Sequence, residues 1–336
     1  MANTICCIFN IGAHYRTPIY SLMDKELECD FFFGDTVFSP LKTMDYKSLT
    51  GYKKTIRNRR IAKGWIWQSN AWPLVFKPYK SYILNSSPYY VSNWVILILA
   101  KIMGKKVFVW THGMKGGEKG KTKFLSKTFY KLCHKILLYG ELSQTNMVKE
   151  GFKKEKLLLI YNSLNYDYQI EVRKDLKKTN IYQDYFKNNY PVIVYIGRIQ
   201  KSKKLDLLVK AANKLNLEGI TCNLTFIGKS VENNEIESLV QELNIQDKVW
   251  FYGPSYNEKE IGNLLFNAKV CVSPGPVGLT AIHAATFGLP IISNNDFQNQ
   301  MPEYEVIKDG VSGNFYKAGD FEDLCNRIKY WISLPM

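Results

Sequence analysis

Residues 192–215 read VIVYIGRIQKSKKLDLLVKAANKL. The apolar run 192–196 predicts a buried parallel strand. It breaks at Gly197 and Arg198, and Lys203 then opens an amphipathic helix with Leu205, Leu208, Val209, Ala212 and Leu215 on one face. One arginine and one lysine therefore stand where a strand hands over to a helix. Open α/β sheets hold their ligands there, outside the carboxyl ends of the strands. Two cations beside helix N-terminal amides suit a diphosphate, and a solvated basic loop is the other reading of this segment taken alone.

A second segment, 270–294, reads VCVSPGPVGLTAIHAATFGLPIISN. A short strand runs into Ser-Pro-Gly-Pro, and a helix predicted over 281–287 ends at Gly288, with a new strand at 290–292. Gly278 lets the backbone come close to a ligand, and the amides of Leu279 and Thr280 fall at the helix start. The segment is a second candidate anion seat, or a plain Gly/Pro turn.

The two segments, with what lies between and after them, resemble the nucleotide-binding half of GT-B glycosyltransferases of family 4, the group 1 type. The match follows the chain in order. It runs through Gly197-Arg198, Lys203, the strand 224–227 with Gly228, Phe251-Tyr252-Gly253, Ser273-Pro274, Gly278-Leu279, Gly288-Leu289-Pro290, Pro302-Glu303, Asp309-Gly310 and Gly319-Asp320. Two departures stand out. Where the family carries two glutamates around the glycine loop, one for the donor sugar and one for the ribose, this chain has Gly275 and His283. Gly275 offers no side chain, so sugar recognition falls to backbone or to other groups. His283 can still hydrogen-bond a ribose hydroxyl. Lys204 stands where the family often has glycine.

The first half reads as a separate α/β domain. Strands are expected at 4–9, 31–33, 82–84, 107–110, 135–138 and 157–160, alternating with helical spacers, which predicts a parallel doubly wound sheet. No G-x-G-x-x-G fingerprint follows any of these strands, which argues against a dinucleotide cofactor. The expected organisation is a domain over 1–165, a polar linker over 166–190 and a nucleotide-sugar domain over 191–336. By the resemblance these are two Rossmann-like, doubly wound domains facing a cleft. The resemblance also assigns Gly12 to the loop facing the donor phosphates and His112, in Trp-Thr-His-Gly, to the donor sugar. His14 and Arg16, just behind Gly12, are acceptor-side candidates, with Arg16 able to meet a phosphate of donor or acceptor.

At 336 residues, 46% hydrophobic and 22% charged, the chain is long enough for two ordinary cores. Residues 1–10 lack a basic region before their apolar run, so no signal pattern is read. The longest apolar stretch, 94–100, is far shorter than the roughly 20 residues of a spanning helix. Seven cysteines without a C-x-x-C pair read as reduced core thiols. Charge is unevenly spread: residues 1–165 hold 26 Lys/Arg against 10 Asp/Glu, and residues 166–336 hold 19 against 20. The excess lies in runs such as Lys53-Lys54-Thr55-Ile56-Arg57-Asn58-Arg59-Arg60 and 115–135, interleaved with Trp65, Trp67, Trp72, Phe76 and Tyr79. Anionic lipid, an acidic glycan or nucleic acid would suit such a surface. Basic residues beside interfacial aromatics favour a membrane surface, and no recognition motif supports nucleic acid.

The reading is thus a retaining, metal-independent glycosyltransferase with no cofactor beyond its nucleotide-sugar substrate, UDP-linked by default. Retention and metal independence are what the resemblance implies. The acceptor is expected to be a saccharide, lipid-linked, in bacterial surface polysaccharide assembly. The enzyme would then be cytoplasmic and peripheral on the inner face of the membrane. Arg198, Lys203 and His112 are the expected catalytic residues. Gly12, Gly228, Gly278, Leu279, Thr280 and His283 join Arg198 and Lys203 in donor binding, and no metal ligand is named. A GT-B-shaped scaffold without catalysis is the alternative, given both lost glutamates.

Overall fold

The structure, a computed structural model, describes residues 4–35, 42–85, 87–114, 116–231 and 235–335. It divides into two units, Met1–Asn165 and Tyr166–Met336.

In the first unit the chain runs through β1 (Ile5–Phe9), α1 (Thr17–Leu27), β2 (Cys29–Gly34), β3 (Tyr52–Ile56), β4 (Asn58–Ala62) and β5 (Trp65–Gln68). It continues through β6 (Ser81–Asn85), α2 (Val91–Ile102), β7 (Lys106–Thr111), α3 (Gly120–Leu132), β8 (Lys135–Leu138), α4 (Glu141–Lys149) and β9 (Leu157–Leu159). Seven strands form one parallel sheet in the order β3-β2-β1-β6-β7-β8-β9. Side chains alternate across it: Cys6 and Ile8 enter the core on one face, Cys7 and Phe9 the core on the other. Burial on both faces explains why these strands read as unbroken apolar runs.

Three strands were not expected. β3 lies inside the basic run, with Lys53 and Lys54 exposed and Ile56 buried; it pairs on one side only, at the sheet edge. β4 and β5 form an antiparallel hairpin, with Arg59 opposite Trp67 and Arg60 opposite Ile66. Four of the five β4 residues face solvent, so no core-facing period shows in its sequence.

The second unit runs through α5 (Tyr166–Asp175), α6 (Ile181–Phe186), β10 (Val192–Ile196), α7 (Leu205–Leu217), β11 (Asn223–Ile227), α8 (Glu235–Glu242) and β12 (Val249–Gly253). Then come α9 (Glu258–Asn267), β13 (Val270–Ser273), α10 (Leu279–Thr286), β14 (Ile291–Asn294), β15 (Gly313–Tyr316) and α11 (Phe321–Ser333). Its sheet is parallel, in the order β12-β11-β10-β13-β14-β15. Ile193 and Tyr195 join one core, Val192, Val194 and Ile196 the other. In each sheet the chain reverses its direction of spread once, between β1 and β6 and between β10 and β13. The crevice at such a reversal is where doubly wound folds bind ligands.

The stretch 166–190, expected as a linker, belongs to the second unit. Val172, Tyr182 and Phe186 are buried in its core, and the Tyr182 hydroxyl donates to the Leu264 carbonyl at 2.8 Å. Arg173 donates to the Thr286 carbonyl at 2.8 Å, and Tyr185 stacks on Trp250 with ring centroids 4.1 Å apart. The anchors are few and lie on two short helices, too sparse among lysines to show a period. All seven cysteines are buried and unpaired. Among the described residues no helix is long and apolar enough to cross a membrane; the run 94–100 lies inside α2.

Tyr182→Ala should destabilise the second unit by about 3 kcal/mol or more, as loss of a buried aromatic does. Chemical denaturation followed by Trp fluorescence reads it, and a loss within about 0.5 kcal/mol, typical of surface positions, would return 166–190 to linker status.

Candidate functional site

β10 and β11 end side by side on two glycines. The Gly197 amide donates to the Ile227 carbonyl and the Gly228 amide to the Gly253 carbonyl, both at 2.9 Å. A Cβ on Gly228 would fall 1.8 Å from the Gly197 carbonyl oxygen, so glycine is what lets the two strand tips close up. Arg198 follows, exposed, its carbonyl accepting from the Tyr195 hydroxyl at 2.9 Å. Lys201–Lys203 form a single 3₁₀ turn. Lys203 thus ends that turn and does not open the helix as expected; α7 starts at Leu205 after Lys204, which holds the left-handed φ of 51°. That conformation is why glycine is the usual residue here.

The Lys203 ammonium donates to the Pro276 carbonyl. Burial lowers its pKa, the Arg198 charge lowers it further, and Glu303 acts in the opposite sense. The Lys203 carbonyl accepts from the Gly275 amide at 2.9 Å. The loop after β10 is therefore stitched to the loop after β13, across the point where the sheet reverses.

The Ser-Pro-Gly-Pro loop is fixed from beneath. Ser293 donates to the Ser273 carbonyl at 3.0 Å, while Asn294 and Tyr316 each donate to the Pro274 carbonyl at 2.8 Å. Gln300 accepts from the Val277 amide at 2.8 Å and donates to Ser293 and the Asn294 carbonyl. These groups are buried, so each polar partner is needed. The loop delivers Gly278 as N-cap of α10, leaving the Leu279 and Thr280 amides in its first turn, where no intrahelical acceptor exists. The Thr280 hydroxyl donates back to the Ile196 carbonyl at 2.6 Å, tying the start of α10 to the end of β10.

Gly275 is closed off. A Cβ there would lie 2.4 Å from the Ser202 carbonyl oxygen and 2.7 Å from the Lys203 Cα. The loss of the family's first glutamate is thus built into the packing of the loop. His283 is 12% exposed and its Nε2 lies 2.8 Å from a Glu258 oxygen, which also accepts from Gln169 at 3.0 Å. Burial raises the Glu258 carboxyl, but the His283 and Gln169 contacts outweigh it and hold it below the usual range. The expected ribose ligand is therefore bonded to a carboxylate through one ring nitrogen. Sequence reading missed Glu258 and Gln169. Asn257 caps α9 by accepting from the Lys259 amide at 3.0 Å, so Glu258 could be placed at a helix start, but nothing in the sequence tied it to His283.

The remaining candidates lie at the carboxyl ends of β1, β7 and β8 in the first unit. The Gly12 amide donates to the Tyr46 hydroxyl at 3.2 Å, and a Cβ on Gly12 would meet the Tyr46 ring at 2.6 Å. The His14 amide donates to the Lys42 carbonyl at 2.9 Å, and burial with the Lys42 charge lowers the imidazole pKa. His112 accepts from Ser143 through its carbonyl at 2.6 Å, and its ring centroid lies 4.6 Å from that of Tyr139. Arg16, 7% exposed, donates to the Tyr139 hydroxyl and lies 4.7 Å from the Trp110 ring centroid and 5.0 Å from that of Tyr139. Burial opposes its charge, yet the surrounding Tyr139, Tyr15 and Tyr20 phenols hold its pKa above the usual range. Arg198, Lys203, Gly228 and the 278–280 amides are thus gathered in one unit, and Gly12, His14, Arg16 and His112 in the other.

Two doubly wound parallel sheets, each with its candidate groups at the strand carboxyl ends, define the class: the fold is GT-B. Residues 177–335 match the model of the family described as Glycosyl transferases group 1. The fold is similar to that of the Anabaena protein HepE, solved with UDP (TM-score 0.69, 16% identity, 97% of this chain and 89% of that one). It is also similar to the lipopolysaccharide outer core galactosyltransferase WaaB (TM-score 0.70, 17% identity, 98% and 90%). In sequence, an uncharacterized 41.2 kDa protein in the cps region of Klebsiella pneumoniae is 29% identical over 192 residues, 55% of this chain and 49% of that protein. The chain spans about half the length, or less, of the curated relatives it matches.

Restoring the family residue by Gly275→Glu should lower the melting temperature and weaken nucleotide binding, because the side chain would push the 202–203 backbone away from the loop. Differential scanning fluorimetry with and without UDP reads both, and a variant of unchanged stability with tighter UDP binding would contradict the closed geometry.

Proposed function

We propose that the chain is a retaining, metal-independent glycosyltransferase that moves a sugar from a UDP-linked donor to a saccharide acceptor. The observation that carries this reading is the pairing of Arg198 and Lys203 with the 278–280 amides, on two stitched loops at one reversal of the sheet. As the glycosidic bond to the donor breaks, the diphosphate gains negative charge. Fixed cations and first-turn amides stabilise that charge more than the ground state, which is the condition for catalysis. Lys203, depressed by burial and by Arg198, regains preference for its charged form when an anion arrives.

The HepE structure with UDP supports a UDP carrier, and the cps-region relative supports a role in surface polysaccharide assembly. His112 is read as the group that faces the donor sugar, offering a hydrogen bond to a hydroxyl and steadying positive charge at the anomeric carbon. A lipid-linked acceptor at a membrane surface accords with the first unit. That unit exposes Arg57, Arg59 and Arg60 together with Ile61, Trp72 and Phe76, each of these three at least 37% exposed.

Arg198→Ala and Lys203→Ala should each cut turnover by roughly 100-fold, as loss of a charge-stabilising donor does. Calorimetry should show UDP binding without metal, unchanged by magnesium and lost in Arg198→Ala. If UDP, GDP and CDP all fail to bind, the chain is a scaffold of GT-B shape and the closed Gly275 loop is the cause. Changing Lys53, Lys54, Arg57, Arg59 and Arg60 together to Gln should release the protein from anionic vesicles in flotation, with UDP affinity retained. Persistent flotation would move the membrane face elsewhere.

A further inference from the structure

Arg16 is a buried charged group with no carboxylate partner among the described residues. Its guanidinium is held by Tyr139, by the Tyr15 hydroxyl at 3.4 Å, and by the faces of Trp110 and Tyr139. No carboxylate is among the groups that act on it. Its Nη1 is buried with no hydrogen-bond acceptor among the described residues, and the same holds for the Trp110 indole N–H, on the ring the guanidinium covers. Burial of an uncompensated charge is costly, and each unmatched donor adds to that cost. Cation–π contacts offset only part of it. A core arginine would ordinarily be paired; this one, just after β1 beside the Gly12 loop, has Nη1 without an acceptor, as does the Trp110 indole nitrogen next to it.

We propose that Arg16 and Trp110 receive an acidic group of the acceptor, a carboxylate or a phosphate, so that the saccharide extended by this chain is anionic. The proposal rests on the reading of the chain as a glycosyltransferase. Under that reading the donor diphosphate already has Arg198, Lys203 and two helix amides in the second unit, whereas the first unit offers Arg16 with no carboxylate beside it among the described residues. A guanidinium presents paired N–H groups that match either anion in bidentate form. Tyr15 and His112, both only half-buried, border the enclosed guanidinium: Arg16 lies 5.5 Å from the Tyr15 ring centroid, and the ring of His112 lies against that of Tyr139.

The test is binding to the full chain saturated with UDP, measured by calorimetry with three probes: p-nitrophenyl β-D-glucoside, p-nitrophenyl β-D-glucuronide and glucose 1-phosphate. At least one acidic probe should bind about tenfold or more tighter than the neutral glucoside, the scale of a charged hydrogen bond. Which acidic probe it is tells carboxylate from phosphate. Arg16→Gln should remove the preference while UDP affinity stays, and Trp110→Phe, which keeps the ring and deletes the N–H, should reduce it. Equal binding of all three probes, or a preference that survives in Arg16→Gln, overturns the proposal. Lost UDP affinity in Arg16→Gln also overturns it, by placing the guanidinium on the donor. Should Arg16→Gln fail to fold by circular dichroism, Trp110→Phe decides the matter alone. Failure of UDP to bind the unaltered protein refutes the glycosyltransferase reading instead.

Discussion

A parallel sheet covered on both faces leaves the middle of its strands little room for charged side chains, and that constraint shapes both units. Val192, Val194 and Ile196 go to one core, Ile193 and Tyr195 to the other. Charged chemistry is thereby expelled to the strand ends. There the backbone turns, helices begin, and amides lack partners. Only at the reversal of strand order do two neighbouring loops diverge to opposite faces and open a crevice. Arg198 and the 278–280 turn flank that reversal in the second unit; Gly12 and Arg16 follow β1, one side of it, in the first.

The same constraint explains what the sequence disclosed. Double burial writes strands as apolar runs, so β1, β2, β7, β10 and β13 are plain from composition alone. β3 was hidden because an edge strand buries one flank, and its outward positions are Lys53 and Lys54. α5 and α6 were hidden because three buried side chains, Val172, Tyr182 and Phe186, carry their docking. Of the site, cations and glycines were legible because they follow strands at fixed offsets. The fate of Thr280 and His283 was not. Each is held by a partner distant in sequence, the Ile196 carbonyl and Glu258, which no local pattern encodes.

Charge is handled in opposite ways by the two units. In the second, Arg198 is exposed and Lys203 is half-buried against a backbone carbonyl. In the first, Arg16 is enclosed by Tyr15, Trp110 and Tyr139. An enclosed guanidinium is oriented in advance, and it lies in a medium where electrostatic interactions are stronger.

The two departures from the family pattern are not equivalent substitutions. Gly275 is tied to its surroundings: its amide bonds the Lys203 carbonyl, its missing Cβ lets Ser202 and Lys203 approach, and Lys203 in turn bonds Pro276. The 202–203 turn occupies the space a side chain on Gly275 would take, and the two loops are joined there by the Gly275–Lys203 hydrogen bond. His283 follows another logic. It keeps a side chain at the helical position and brings in a carboxylate from α9, where Glu258 also accepts from Gln169 of α5. A carboxylate is thus still present beside that position, supplied through a histidine and anchored by the very helix that reads as linker. The first departure leaves a position closed by packing, while the second leaves a side chain joined to a carboxylate.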